Sequence, residues 1–295
     1  GSECIALRDG STTVYAALGD TTDSYASHIR LQRSGATKAV LSTLAAPTWQ
    51  WAVKAGGISY DQGRGIAVDS FGNCYIAGYF SGTATFGVIN LISAGGYDIF
   101  IAKLNNAGAW QWAAKAGGTA NDLSLALAVD SSENCYITGY FNGTATFGTT
   151  NLTSTGSEEI FVAKLNSAGA WQWAVKAGSA NGSDRGNAIT VDSSGNSYIT
   201  GYFSGSATFG TINLASAGYS MFVAKLNTLG TWQWAIKADG TAFIPSNAIG
   251  MDSSGNCYVA GYFSNTATFG TTNLTSTDFF YDVFVAKVNN TGAWE

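Results

Sequence analysis

The amino-acid sequence predicts an all-β protein built from five copies of one four-stranded antiparallel sheet. Three observations support this fold class: a long internal repeat, segments in which apolar and polar residues alternate, and turn sequences that recur at fixed positions. Alternation with a period of two is typical of strands whose two faces differ in burial. Charged residues make up only 11% of the chain, which argues against coiled coils and helix bundles because those need charged outer faces.

A repeat with a period of 61 residues runs through most of the chain. The segment WQWAVKAGG begins at Trp49, and close variants begin at Trp110, Trp171 and Trp232. Other landmarks, such as VDSSGN, GYFSGTATFG and IFVAKL, keep the same register. A fixed period of this length indicates that each copy folds as one supersecondary unit. We expect a single domain over residues 1–295, with copies at approximately 4–57, 58–118, 119–179, 180–240 and 241–295.

The first 48 residues match the repeat weakly and are interpreted as a diverged first copy. The segment Ile5–Asp9 matches Ile66–Asp69, and Tyr15 takes the place of Tyr75. Residues 39–41 fall where 100–102 would lie. The alternative interpretation is a separate N-terminal extension.

Each complete copy predicts four short strands, which in the second copy are residues 65–69, 74–80, 99–104 and 109–116. The first turn reads Asp-Ser-Ser-Gly-Asn in two copies, where Asp caps the turn and Gly and Asn tolerate positive φ. A long polar stretch, expected to be a loop, joins the second and third strands. In the fourth strand Trp110 and Trp112 lie on one face and Gln111 lies on the other.

Four antiparallel strands repeated at a fixed period are the arrangement of a propeller blade, so the predicted architecture is a five-bladed β-propeller. A closed ring leaves no long exposed sheet edge. Solenoid β-helices are the alternative, but their turns are much shorter than this repeat. The chain ends at Trp294-Glu295, within the expected fourth strand of the last copy. We therefore expect a truncated, three-stranded last blade, or a chain cut from a longer array.

The pattern D-x-G-x-A-I-x-V-D-S-x-G-N-x-Y-x-x-G, which runs from Asp184 to Gly201, resembles the SBBP-type bacterial β-propeller repeat. The resemblance covers residues 49–295 well and 4–48 poorly. It implies a secreted or cell-surface protein from a family without a shared enzymatic activity. The first copy lacks the acidic residue that precedes the first strand, and the fifth has Ile244 there, so a site built on that residue occurs at most three times.

Composition and motifs exclude several function classes. The chain is acidic, with a formal charge of −5 and no basic tract, so nucleic acid is not an expected partner. No apolar run reaches the ~18 residues of a membrane helix. His28 is the only histidine, and no phosphate loop, HExxH or CxxC motif is present, so neither catalysis nor a cofactor or metal is expected. No signal peptide is visible, and Gly1-Ser2 looks like a cloning scar, which leaves room for a removed leader.

Three repeated residue types have structural interpretations. The thiols of Cys74, Cys135 and Cys257 are predicted to be free and buried, because equivalent positions in sheets ~10 Å apart exceed the ~7 Å that a disulfide spans. The turn aspartates are predicted to cap turns rather than to bind calcium, which needs several carboxylates per loop. The paired tryptophans are predicted to pack between copies, with sugar stacking as the alternative.

The candidate ligand-binding residues precede or begin the first strand of successive copies. In a propeller these loops lie on one rim near the axis, so their side chains converge. Carboxylate, guanidinium and amide groups offer the mixed donors and acceptors that hydroxyl-rich ligands need, and Tyr60 adds a stacking face. Anchoring of the loops is the alternative interpretation. The set consists of Tyr60, Asp61, Arg64, Asn121, Asp122, Asp184 and Arg185.

Two functions from different classes follow from the sequence. The leading hypothesis is a non-enzymatic, lectin-like adhesion module of a secreted or cell-surface protein, which recognises glycan or protein through several similar weak sites. The alternative is a structural propeller that acts as a spacer or assembly platform without a small ligand. An enzyme is the third hypothesis. The protein is expected to be a monomer or part of a larger chain.

Overall fold

The computed structural model describes residues 4–9, 12–17, 49–240, 244–277 and 280–295. Every regular element in these ranges is a β-strand, which confirms the all-β prediction. No helix in these ranges has the length and apolar character needed to cross a membrane. The chain divides into two compact units, residues 1–50 and 51–295. His28 and residues 39–41 lie outside the described residues.

The described part of the first unit is one antiparallel hairpin, formed by β1 (Cys4–Asp9) and β2 (Thr12–Ala17). Ala6 pairs with Tyr15 in this hairpin, and in the second copy Ala67 pairs with Tyr75. This common register is the one that a diverged first copy requires.

The second copy forms a four-stranded sheet in the order β3-β4-β7-β8, with an additional two-stranded hairpin, β5-β6. The first strand starts at Asp61, four residues before the predicted start at residue 65, and contains a bulge between Gly63 and Gly65. The hairpin occupies the stretch that was expected to be a loop. The strands are β3 (Asp61–Val68), β4 (Cys74–Phe80), β5 (Thr83–Phe86), β6 (Ile89–Ile92), β7 (Asp98–Leu104) and β8 (Trp110–Ala116).

The third and fourth copies repeat this sheet, and in the fourth copy the hairpin strands fuse with the second and third strands into two long strands. The third copy contains β9 (Leu123–Val129), β10 (Cys135–Phe141), β11 (Thr144–Phe147), β12 (Thr150–Thr153), β13 (Glu159–Leu165) and β14 (Trp171–Ser179). The fourth contains β15 (Arg185–Val191), β16 (Ser197–Phe209), β17 (Ile212–Leu226), β18 (Trp232–Lys237) and β19 (Asp239–Gly240).

The last copy has a three-stranded sheet in the order β20-β21-β24, as expected from its missing fourth strand. A single bridge between Val288 and Trp294 stands where that strand would begin. Its elements are β20 (Ser246–Met251), β21 (Cys257–Phe263), β22 (Thr266–Phe269), β23 (Thr272–Thr275) and β24 (Asp282–Val288).

Successive copies are hydrogen-bonded to each other as well as packed face to face. Residues at the end of each copy pair with the hairpin of the next: Gly56 with Thr85, Gly117 with Thr146, the end of β14 with β16, and β19 with β22. The expected fourth strand of the first copy, which begins at Trp49, is not formed, since residues 49–55 contain no strand. The hydrophobic core lies between the copies, because the same buried cluster contains Ile101 of the second copy and Ile137 of the third. The copies are therefore held at a fixed spacing.

Several of the paired tryptophans pack between copies, as predicted, but Trp49 is 95% exposed and does not. The Nε1–H of Trp112 donates to the carbonyl oxygen of Ser167 in the next copy at 3.1 Å, and that of Trp173 donates to Thr228 at 3.0 Å. In the opposite direction, Trp171 donates to the carbonyl oxygen of Lys115 in the preceding copy at 3.2 Å. The fourth strand β14 thus ties the third copy to both of its neighbours.

The repeated cysteines are free and buried, as predicted. Burial raises the pKa of Cys135 and of Cys257 to about 12. These thiols are therefore protonated at neutral pH and do not have the thiolate character that reactive cysteines need.

The turn aspartates cap their turns, as predicted. Asp192 Oδ1 accepts the backbone N–H groups of Ser194 and Asn196 at 2.9 Å, and Oδ2 accepts the side-chain N–H of Asn196 at 2.8 Å. Burial alone would raise the pKa of Asp192, but these hydrogen bonds and one from Tyr198 outweigh it and hold the pKa below 3.8. The described residues contain no group of three or more metal-ligating side chains.

Replacing Asp192 with alanine is expected to lower the free energy of unfolding by about 2 kcal/mol near neutral pH, because four donors lose their acceptor. The depressed pKa means that this stabilisation is present above 3.8 and is lost as the pH falls through the folded-state value. Urea unfolding near neutral pH and in acid tests this. A loss of equal size at both pH values would show that the carboxylate charge is not the cause.

Candidate ligand-binding surface

The predicted site residues lie where the first strands begin, but their exposure differs. Tyr60 is 77% exposed, and Arg64 and Asn121 are also exposed. Asp61 and Arg185 are half-buried. Two others, Asp122 and Asp184, are completely buried. The rim therefore presents guanidinium, amide and aromatic groups rather than a ring of carboxylates.

The buried carboxylates anchor loops. Asp122 Oδ2 accepts the backbone N–H of Gly118 at 2.7 Å, and Oδ1 accepts that of Asn142 at 3.2 Å. Asp184 binds the backbone of Ser179 and Ser204 in the same way. Each carboxylate thereby joins the end of one copy to the next. Direct contact of these two residues with a ligand has no support in this geometry.

The half-buried Arg185 is held in place by two neighbours. Its Nε and Nη2 donate to the two carboxylate oxygens of Glu158 at 2.6 and 2.8 Å. Its Cζ lies 4.3 Å from the ring centroid of Tyr140, which belongs to the preceding copy. A bidentate ion pair stacked on an aromatic face fixes the guanidinium in one orientation. Asn121 is also used locally, because its Oδ1 accepts the backbone N–H of Tyr97.

A row of tyrosines beside these groups was missed in the sequence. The second strands of the second to fifth copies contain the sequence Gly-Tyr-Phe, and its tyrosine is half-buried. Three of these tyrosines make edge-to-face contacts with a second tyrosine from the segment before the third strand, with ring centroids 4.9–5.7 Å apart. These pairs are Tyr79 with Tyr97, Tyr202 with Tyr219, and Tyr262 with Tyr281.

An arginine lies over a tyrosine ring at two places in this row: Arg64 Cζ is 6.0 Å from the ring centroid of Tyr79, and Arg185 Cζ is 4.3 Å from that of Tyr140. Burial raises the pKa of Tyr140, while the nearby Arg185 lowers it. Arg64 and Tyr79 are also close enough to act on this hydroxyl. Burial likewise raises the pKa of Tyr202 to about 12 against the effect of Arg185. We call this the rim surface: Arg64, Tyr79, Tyr97, Tyr140, Glu158, Arg185, Tyr202 and Tyr219.

The rim surface combines aromatic rings, an exposed guanidinium and a fixed ion pair. Such a surface can stack on a flat or ring-shaped group and donate hydrogen bonds to its edge. A sequence signal for it existed, because a tyrosine stands at the same position of the second to fifth copies, before a phenylalanine. Two depressions of about 350 Å³ lie elsewhere, beside the hairpins, and the second of them is lined by Glu159 and Lys176.

Comparison with known families confirms the resemblance seen in the repeat. The family model for the SBBP beta-propeller repeat matches residues 50–79 and 172–202. These two segments contain Asp61 and Arg64, and Asp184 and Arg185, and they end at the rim tyrosines Tyr79 and Tyr202.

A relative of viral origin shares the repeat character. The chain is 29% identical over 223 residues to an uncharacterized WD repeat-containing protein of Acanthamoeba polyphaga mimivirus. The match covers 62% of this chain and spans 16% of that protein's length. Together with the family match, it supports a repeat-type binding or scaffold module.

Proposed function

We propose that this chain is a non-enzymatic binding module of a secreted or cell-surface protein, which recognises a protein or glycan ligand through the rim surface. The observation that carries the proposal is the fixed guanidinium of Arg185, paired with Glu158 and stacked on Tyr140. A group that is already ordered loses little entropy on binding, so more of the contact energy appears as affinity.

The residue types of the rim surface suit an interface. Tyrosine and arginine are enriched among the residues that contribute most to binding, because they bury large areas and keep a polar tip. Their repetition from copy to copy offers several similar weak contacts, and linked contacts gain about 10²–10⁴-fold in avidity. Of the two ligand classes, the likeness to a WD repeat-containing protein favours a protein.

The proposal includes a five-bladed propeller in which residues 4–57 form the diverged first blade. The shared hairpin register of Ala6 with Tyr15 and Ala67 with Tyr75 supports this count. The second candidate function is a structural spacer or assembly platform. The loop-anchoring geometry of Asp122 and Asp184 favours it, because those carboxylates serve the junctions between copies.

The test begins with a glycan array and with candidate surface proteins displayed at several valencies. For any ligand found, the double variant Arg64→Ala/Tyr97→Ala is expected to reduce affinity by about tenfold or more, because it removes an exposed cation and an aromatic edge. Phe71→Ala is the matched control, since Phe71 is 67% exposed and lies in the first turn, away from the rim surface. Equal losses in both variants would disprove the assignment, and a screen without any ligand would favour the structural platform.

A further inference from the structure

One buried carboxylate oxygen at the junction of the second and third copies has no hydrogen-bond donor. Asp98 begins β7 and is completely buried. Its Oδ2 accepts the backbone N–H of Ala94 at 3.0 Å and lies 3.7 Å from Lys115 Nζ. Its Oδ1 has no partner. A buried, unpaired carboxylate oxygen is costly, so the surroundings of this atom decide how it is satisfied.

The unpartnered oxygen lies on the same side of the junction as a second buried carboxylate, that of Asp122, and the charge of Asp98 acts on the Asp122 carboxyl. Both groups lie beside Gly117: a Cβ atom built on this glycine would lie 2.8 Å from Asp98 Oδ1 and 3.0 Å from Asp122 Oδ2. Asp122 already accepts a backbone N–H on each oxygen. These two donors do not reach Asp98, and the Lys115 side chain is 41% exposed, so it neutralises the pair incompletely.

We propose that Asp98 and Asp122 bind one proton between Asp98 Oδ1 and Asp122 Oδ2, which makes this junction a proton-binding site. The proton comes from solvent, and its binding changes no covalent bond other than the O–H bond that forms. It supplies the missing donor and removes one of two adjacent buried charges. Three charged groups meet at this junction: the pair itself, Asp98 on β7 and Asp122 before β9, and Lys115 on β8.

The titration behaviour of the two groups agrees with this geometry. Burial raises the pKa of Asp122 to about 6; the bonds from Gly118 and Asn142 oppose the rise, and the charge of Asp98 adds to it. The pKa of Asp98 is raised as well, again mainly by burial. A raised folded-state pKa means that the stabilisation is complete below 3.8 and is lost as the pH rises through about 6.

The equivalent pair in the next copy is Glu159 and Asp184, and there every carboxylate oxygen has a donor without an added proton. Glu159 Oε1 accepts from the backbone N–H and the hydroxyl of Thr155 at 2.6 Å, and Oε2 accepts from Lys176 at 2.8 Å. No oxygen of Glu159 or Asp184 is without a donor. In the next copy Ser220 and Ile244 replace the pair. Asp61 Oδ1 is also without a partner, but the three atoms nearest a Cβ on Gly56 all belong to Asp61, whereas those at Gly117 come from both Asp98 and Asp122.

The variant Asp98→Asn tests the proposal, because its amide places a permanent N–H donor where the proton would lie. Its Oδ1 would take over the bond from Ala94, and its Nδ2 would donate to Asp122. We expect the thermal midpoint to rise by about 2–4 °C at a pH near 8, and to change little near pH 5, where the wild-type pair already holds its proton. Glu159→Gln is the matched control and is expected to lower the midpoint at both pH values, because it breaks a complete ion pair.

A lower midpoint of Asp98→Asn at both pH values, like that of the control, would overturn the proposal. A second measurement does not depend on the variant's stability. Infrared difference spectra of the wild-type protein between pH ~5 and ~8 are expected to show a buried protonated carboxyl that is absent from Asp98→Asn. If calcium raises the thermal midpoint of the wild type but not that of Asp98→Asn, the site binds a metal cation rather than a proton, and the proposal is overturned.

Discussion

Alanine at Gly139 is expected to lower the free energy of unfolding by about 3 kcal/mol or more, because its Cβ has no room. Gly139 lies in β10 at a bulge opposite β9. A Cβ there would lie 1.9 Å from the carbonyl oxygen of Leu123 and 3.0 Å from the ring of Phe161. The first contact is with backbone, so relief requires that β9 move away from β10.

The cause is a repeated feature of the second strand. Its Gly-Tyr-Phe sequence places a glycine beside the bulge in each copy, and the corresponding distances at Gly78 and Gly201 are also 1.9 Å. The bulge brings the two strands close together while it sets the start of the first strand at the rim. The glycine is therefore needed both for the close packing of the two strands and for the position at which the first strand starts.

Chemical unfolding of Gly139→Ala against two controls measures this effect. A Cβ added at Gly218 or Gly250 would have no heavy atom within 4 Å, and neither residue has a positive φ, so alanine there meets no obstacle. Gly250→Ala is expected to gain about 0.4–1 kcal/mol, because alanine restricts the unfolded chain. A loss at Gly139 no larger than the changes at the controls would contradict the prediction.

The sequence was sufficient for the strands and the turns, since both depend on local rules. Period-two alternation and a capping aspartate act within a few residues, and 61-residue repetition supplied four nearly independent versions of each signal. The hairpin β5-β6 was missed because its strands have only four residues and one of them begins at Thr83, a polar residue. The fusion of β16 and β17 in the fourth copy depends on tertiary pairing, which no local rule contains.

The site was predicted only in part, because a position does not give the direction of its side chain. The sequence placed Asp122 and Asp184 beside the starts of the first strands, yet both carboxylates accept hydrogen bonds from backbone N–H groups. It placed Arg185 in the same series, but the partners Glu158 and Tyr140 come from other segments of the repeat. Contacts between such distant segments can be predicted only when the register of every strand in the sheets is known.

Alanine at Trp173 is expected to lower the free energy of unfolding by about 3 kcal/mol, through loss of a contact between the third and fourth copies. The indole donates to the carbonyl oxygen of Thr228 at 3.0 Å and covers Gly230, where a Cβ would lie 2.8 Å from the ring. Its ring also meets that of Tyr136 edge to face, with centroids 6.2 Å apart. Truncation removes the apolar contact and leaves the carbonyl without its donor.

Trp173→Phe keeps a six-membered aromatic ring but loses the donor and part of the indole volume, so its expected cost is smaller, about 1–2 kcal/mol. Trp49→Ala is the matched control, because Trp49 is 95% exposed and its loss is expected to stay within about 0.5 kcal/mol. A cycle with Gly230→Ala then measures the coupling, since the methyl and the indole compete for one space. If the effects of the Trp173 and Gly230 substitutions on stability are additive, the indole does not stabilise the turn of the next copy, and the tryptophans do not couple the repeats.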